Sequence, residues 1–435
     1  MEERIALFWF RRDLRLHDNH ALFAALSSGM KVLPVFIFDA DILRKLPSRK
    51  DARVQFIHRE VSRLNRELQQ VNSSVVVHYG TPLDAFRQLL ETYPGTAAVY
   101  TNLDYEPDAI RRDREVAGFL AARGVAFHEY KDHVIFGKDE VLKSDGTPYT
   151  VYTPYSRKWK ENLGGQGIPS YPSERLTGSL YPVAPQIVPA IEEMGFEVFP
   201  YEYPSAIVND QLLGRYGENR DIPAVQGTSR LGIHLRFGTI SIRELAARAL
   251  KTSGVFLGEL IWRDFFIQIM AHFPHVVDSP FKKPYEAIPW RNHEGEFEKW
   301  CRGETGYPMV DAGMRELSQT GFMHNRVRMI TASFLSKHLL IDWRWGEAWF
   351  AEKLLDFELA SNNGNWQWAA GTGCDAAPYF RVFNPEIQQK KFDPEGDYVR
   401  KWVPEAGTIA YARPLVDHAF ARDRAIQTYK KGLEG

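Results

Sequence analysis

The sequence predicts a doubly wound α/β (Rossmann-like) domain followed by a mainly α-helical domain. Three observations carry this. Over the first 130 residues, apolar runs alternate with amphipathic stretches, the pattern of parallel strands joined by crossover helices. Beyond about residue 201 the strand signals nearly vanish and helical periodicity takes over. The chain has 435 residues, which is long for a single hydrophobic core.

The strands expected are IALFWF (5–10), VLPVFIF (32–38), SVVVHY (74–79) and AAVYTNL (97–103). Pro34 cannot donate to a ladder, so it predicts a bulge or an edge. Between the strands, Val54, Ile57, Val61, Leu64 and Leu68 step by three and four and share one helical face. Further helices are expected at 82–93 and 107–123. These elements assign 1–134 to the α/β domain. Residues 135–200 are richer in Pro, Gly, Ser and Tyr and read as an inter-domain connector with short helices. Residues 201–435 form the helical domain. There Ser241 and Glu244 make a capping box, and helical patterns follow at 255–273, 309–319, 324–340 and 346–360.

Composition narrows the function classes. Hydrophobic content of 44% and charge of 25% are those of an ordinary globular protein. No apolar run reaches the roughly 18 residues of a membrane span. The start, MEERIALFWFRRDLR, is charged and unlike a secretory signal. Cys301 and Cys374 are the only cysteines, which suits a reducing cytoplasm. No C-x-x-C or H-E-x-x-H occurs, so zinc is not expected. Net charge is −1, so any nucleic-acid surface must be a local basic patch. The turn after the first strand, FRRDLRLHDN, has no glycine, so the G-x-G-x-x-G dinucleotide turn is absent. Arg11, Arg12 and Asp13 are either a charged turn or a ligand or inter-domain contact.

The tryptophans concentrate late: Trp262, Trp290, Trp300, Trp343, Trp345, Trp349, Trp366, Trp368 and Trp402 are nine of the 11. In GELIWRDFF (258–266), Glu259, Trp262 and Phe266 share a helical face, a carboxylate beside an indole plate. In MHNRVRM (323–329), Asn325, Arg326 and Met329 do the same. GTSRLG (227–232) is either a phosphate cradle or a capped loop. SNNGNWQWAAGTGCDAAPYF (361–380) sets two indoles among bare backbone and amides, more than a core requires.

The chain resembles the photolyase/cryptochrome flavoproteins, and most of all class I cyclobutane pyrimidine dimer (CPD) DNA photolyases. FWFRRDLRLHDN (8–19), GTSRL (227–231), GELIWRDFF, residues 305–335 and NNGNWQWAAGTGCDAAPYFRVFNP (362–385) carry the resemblance over nearly the whole chain. It implies light-driven repair of pyrimidine dimers in UV-damaged DNA, by electron transfer from photoexcited reduced FAD to a flipped-out dimer. The 1–134 domain would be the antenna domain, and 201–435 would bind FAD and DNA. The alternative is a blue-light receptor of cryptochrome type without repair.

The resemblance assigns residues as follows. Tyr216, Thr228, Ser229, Arg230, Leu231 and Gly232 would surround the FAD phosphates. Arg328, Asp356, Phe357 and Glu358 would lie near the flavin ring, with Arg328 pairing Asp356; the family usually has Asp where this chain has Glu358. Asn362 would face flavin N5, and Gly364 would let backbone lie close to the ligand. Trp366, Trp343 and Trp290 match the photoreduction chain from flavin to surface. Glu259 would hydrogen-bond the dimer carbonyl, Trp262 and Trp368 would flank the flipped bases, and Asn325 and Met329 would complete the pocket. Arg220, Arg326, Gln388 and Arg381 would lie near the DNA strand. A second, antenna chromophore of folate or deazaflavin type is compatible with the family, but Asp108-Ala109 and Val276-Val277 depart from the usual folate contacts. The expectation is a cytoplasmic monomer.

Overall fold

Five strands, β1 (Ile5–Phe10), β2 (Lys31–Asp39), β3 (Val76–Gly80), β4 (Thr96–Asn102) and β5 (Ala126–Tyr130), pair in parallel in the order β3-β2-β1-β4-β5. This computed structural model describes residues 4–434, except for the side chain of Gln166. All six residues of β1 are buried. Their alternation sends Ala6, Phe8 and Phe10 to one core with Leu22, Val61 and Leu64, and Ile5, Leu7 and Trp9 to another with Phe86 and Val116. Helices on both faces supply those partners: His20–Leu26, Ala52–Gln69, Pro82–Thr92 and Pro107–Ala121. Asn19, Asp51 and Thr81 start three of them by accepting from backbone N–H groups of the first turn.

Two details differ from the sequence expectation. β5 (AFHEY) was not foreseen, because an edge strand of mixed polarity has no apolar run. Pro34 sits in an interior strand opposite Phe8, yet the β2–β3 register begins only at Val35, so no strand flanks it on the β3 side.

The charged turn after β1 is structural. Arg11 pairs with Asp113 at 2.5 Å, Arg12 with Asp104 at 3.2 Å, and Asp13 accepts from the Arg11 N–H and the Asn102 amide. Arg15 and Arg243 converge on Asp132 at 2.8 Å, and Arg243 also pairs with Asp18 at 2.9 Å. This fixes the helix Ile242–Thr252, whose start Ser241 caps by accepting from the Arg243 and Glu244 N–H groups.

The chain divides into two compact units that are discontinuous in sequence. One holds the stretch up to Gly137 with 162–207 and 230–248; the other holds 138–161, 208–229 and the stretch from Ala249 onward. Residues 135–200 contain the helix Tyr152–Gln166 and contribute to both units.

The second unit is helical. Its site-bearing helices are Gly254–His272, Asn325–Ser333, Trp343–Lys353 and Leu359–Ala370. Its core gathers Trp300, Trp343 and Trp366 with Met309, Val310, Leu335 and Phe350. The periodic stretch 324–340 is helical to Ser333, then turns π-helical at Phe334–His338. The stretch 346–360 is broken: Leu354 and Glu358 are extended, and the loop between them separates two helices. No described helix is long and apolar enough to cross a membrane, and among the described residues no group of three or more His, Cys, Asp or Glu is placed to hold a metal.

Candidate active site of the helical unit

The helix Leu359–Ala370 explains the unusual stretch around NNGNWQW, because its two faces do different work. Asn362, Asn365, Trp366 and Ala369 recur at three and four residues and line a partly open cavity. The other face holds Asn363, Gly364 and Gln367. Asn363 donates to the Val276 carbonyl at 2.8 Å and Gln367 to the same carbonyl at 2.9 Å, while Gln367 Oε1 accepts from the Phe281 N–H at 2.8 Å. These amides clamp the short 3-10 helix Pro274–Val277 and the segment after it against the helix Leu359–Ala370. At Gly364 a Cβ would collide with the Phe266 ring, so the bare backbone lets the two helices pack closely. Gly346 plays the same part for the Trp366 ring.

The cavity gathers nine of the expected site residues: Asn325, Arg328, Met329, Asp356, Phe357, Glu358, Asn362, Trp366 and Trp368. The break at 354–358 brings Asp356, Phe357 and Glu358 to its wall. Arg328 pairs with Asp356 at 3.0 Å and also donates to the Met323 carbonyl. The longer reach of Glu358 is used by Arg263, whose Nη2 lies 2.7 Å away, with both side chains nearly sealed from water. Ser361 donates to the other Glu358 oxygen at 3.1 Å.

Asn362 is held by a residue the sequence did not reveal. Its amide nitrogen donates to Glu347 Oε1 at 2.7 Å and to the Glu347 carbonyl at 3.1 Å. Both amide protons are thereby engaged, which leaves Oδ1 as the group that can accept from a ligand. Burial pushes the Glu347 carboxyl up to about 7, and the Asn362 bond only partly offsets it.

Glu259 and Trp262 do not line this cavity. Glu259 accepts from Arg220 at 2.5 Å; Arg220 approaches Asp221 at 4.0 Å; and Asp221 pairs with Arg326 at 2.6 Å. Arg326 lies over the Phe392 ring, and its Nη1 is 3.7 Å from the Met329 sulfur at the cavity wall. A chain of alternating charge thus joins four expected residues through Asp221. Burial raises the Glu259 carboxyl and Arg220 pulls it back, with a net upward shift. Trp262 is stacked flat on Tyr152 at 3.6 Å and 3°, so one face of the indole is already covered.

The remaining residues are more dispersed. Tyr216 is buried, edge-on to Phe256 at 5.1 Å. Thr228 and Ser229 are half-buried and Leu231 is buried, just before Gly232 opens a short helix. Arg230 adopts a left-handed backbone, φ 52°, a strained conformation for a non-glycine residue. Arg381 is exposed, its carbonyl held by buried Lys337 at 2.9 Å; Gln388 is half-buried on the helix Pro385–Phe392. Trp366 and Trp343 are buried and Trp290 is half-buried.

Of the residues missed, Glu347 lies 15 positions from Asn362, Arg263 lies 95 from Glu358 and Asp221 lies 105 from Arg326. Local periodicity carries no signal for such pairs.

Comparison with known proteins is consistent across the chain. Residues 6–173 match the family described as DNA photolyase, and 256–410 match the FAD binding domain of DNA photolyase. The chain is 36% identical to the deoxyribodipyrimidine photo-lyase of Halobacterium salinarum, with 98% of each chain covered. It is 37% identical to that of Escherichia coli, with 99% of each covered. A bacterial class III photolyase from Agrobacterium tumefaciens superposes with a TM-score of 0.85 at 32% identity, covering 100% of this chain and 99% of that one. An archaeal photolyase from Sulfolobus tokodaii with two FAD molecules gives 0.80 at 33% identity, covering 98% and 100%. A Synechocystis cryptochrome gives 0.83 at 26% identity, covering 98% and 100%.

Proposed function

Because the chain belongs to the DNA photolyase family, we propose that it repairs cyclobutane pyrimidine dimers in UV-damaged DNA with light, as a deoxyribodipyrimidine photo-lyase. The observation that carries this reading is the cavity in which nine expected residues meet. FAD, when bound and reduced, supplies the excited-state electron that opens the dimer.

The protein's own groups bind, orient and exclude water. Asn362, fixed by Glu347, offers Oδ1 as an acceptor for the N–H at flavin N5. The Arg328–Asp356 pair and the Arg263–Glu358 pair give the cavity wall fixed charges that need not reorganise. Tyr216 and Thr228 to Gly232 are assigned to the FAD phosphates; the strained backbone of Arg230 supports a functional constraint there. Trp366, Trp343 and Trp290 are assigned to photoreduction of the oxidised cofactor.

On the substrate side, Trp262, Trp368, Asn325 and Met329 are assigned to the flipped dimer. Extrusion costs a few kcal/mol and is easiest at a damaged step. Base–aromatic stacking returns about 1–3 kcal/mol per base. A lesion against Glu259 removes further water, which favours the protonated carboxyl, and that carboxyl can then donate to a carbonyl gaining negative charge. Arg220, freed from Glu259, joins Arg326, Arg381 and Gln388 along the strand, where phosphate contacts set affinity more than lesion choice. An antenna chromophore of folate or deazaflavin type would be an accessory, because repair draws on reduced FAD. The reading includes a monomer, since every lesion-site residue comes from one helical unit, and a cytoplasmic location, since both cysteines are free thiols.

The test is light-dependent release. Reduced protein should retain dimer-containing duplex over undamaged duplex in the dark and release it on near-UV or blue illumination. Retention that is indifferent to light would favour the receptor reading.

A further inference from the structure

We propose that Tyr152 is a positioning residue for lesion recognition: its ring backs the Trp262 indole and holds it ready for a base of the flipped dimer. The inference rests on the reading that Trp262 flanks the dimer. It places a site residue in the segment 135–200, which the sequence reads as a connector.

The two rings form a built wall. They are parallel within 3°, with centroids 3.6 Å apart. At that separation the phenol covers one face of the indole, and no base can enter between them. Buried Phe265 meets Trp262 edge-on at 5.6 Å and Tyr152 edge-on at 5.9 Å, which closes one side of the pair. Trp262 is still only half-buried, so part of the indole stays open to a ligand.

Tyr152 is held at both ends. Its Oη donates to the Gly258 carbonyl at 2.9 Å, one turn before Trp262 on the same helix. Its backbone N–H donates to Asp375 Oδ2 at 3.0 Å. Burial raises the hydroxyl above its ordinary pKa, so it keeps the proton it donates. The helix Tyr152–Gln166 is itself fastened along the helix Gly254–His272. Buried Trp159 donates its indole N–H to buried Asp264 at 3.0 Å, and Tyr155 packs 5.2 Å from Phe265. Residues 138–161 accordingly belong to the helical unit.

An indole without this backing turns between rotamers, and a base that stacks on it must first order it. Ordering one such side chain lowers affinity by roughly two- to tenfold. Undamaged duplex binds through its phosphates and does not reach the indole. The benefit of the stack therefore goes to the dimer alone.

The experiment measures dark binding of reduced, FAD-loaded protein to a duplex carrying one thymine dimer and to the same duplex undamaged. Tyr152→Leu should lower the ratio of the two affinities by roughly two- to tenfold. Its affinity for undamaged duplex and the salt dependence should not change, because no charge is lost. Tyr152→Phe keeps the flat ring and should keep the wild-type ratio. In a Trp262→Leu background Tyr152→Leu should change the ratio no further, because it acts through the indole. Tyr152→Met gives the same comparison should Tyr152→Leu unfold. A purely packing role would lower the unfolding temperature and leave the ratio alone. The proposal is overturned if Tyr152→Leu keeps the wild-type ratio while Trp262→Leu loses it, if the two losses add, or if Tyr152→Phe loses as much as Tyr152→Leu. Trp262→Leu protein that discriminates as well as wild type would instead overturn the placement of the dimer against Trp262.

Discussion

Glu347 should make the stability of this protein depend on pH in a way that one substitution removes. Its carboxyl is raised from 4.5 to about 7, chiefly by burial. Between those two values the unfolded chain gives up the proton and the native chain keeps it, so native stability falls as pH rises through the window. Below about 4.5 and above about 7 the contribution is flat. At 1.36 kcal/mol per unit, the full swing is at most about 3 kcal/mol. Glu347→Gln keeps an oxygen that can accept from Asn362 Nδ2 and cannot ionise. The variant should match wild type near pH 4, gain on it from about pH 4.5 to about pH 7, and keep that difference at pH 8. Chemical denaturation of both holoproteins across that range reads the difference directly. Parallel stability curves would mean that Glu347 titrates like an exposed glutamate and does not fix Asn362 as described.

Gly364→Ala should destabilise the helical unit by about 1–3 kcal/mol, because the added methyl meets the Phe266 ring; thermal unfolding would show it. Glu358→Ala removes the 2.7 Å partner of Arg263 from a nearly sealed site and should cost about 3–5 kcal/mol in denaturant unfolding. Asp221→Asn frees Arg326 from its 2.6 Å partner, so it should tighten binding to undamaged and damaged duplex alike. The logarithmic salt dependence of that binding should steepen by roughly 0.9 if Arg326 takes up one more phosphate.

The parts of the fold set by local pattern were legible. β1, β2 and most of β4 are buried and largely apolar, β3 is half-buried with Tyr79 exposed, and the helix Ala52–Gln69 carries the face read from Val54 to Leu68. β5 was not legible, because an edge strand needs no apolar run. The helix break at 354–358 was missed because apolar spacing continues through Leu354 and Leu355, whereas the site needs Asp356 and Glu358 on extended backbone. Of the cavity-lining residues, Asn325 and Met329 were singled out by helical spacing and Trp366 and Trp368 by the company they keep; Arg328, Asp356, Phe357, Glu358 and Asn362 were reached through a resemblance in sequence. Their supports were not reached: Glu347 behind Asn362, Arg263 behind Glu358 and Asp221 between two arginines are chosen by tertiary contact. Gly364 shows the converse, since its lack of a side chain was visible and the neighbour it accommodates was not.

The central claim is that this cavity delivers light energy to a DNA lesion, and dimer reversal is its most direct test. Reduced, FAD-loaded protein would be mixed with an oligonucleotide carrying one thymine dimer, illuminated with near-UV or blue light, and the restored thymines counted by chromatography. Repair in the light, none in the dark and a reduced yield in Glu259→Ala are the results the account predicts. Intact dimers after illumination of fully reduced, DNA-bound protein would contradict it.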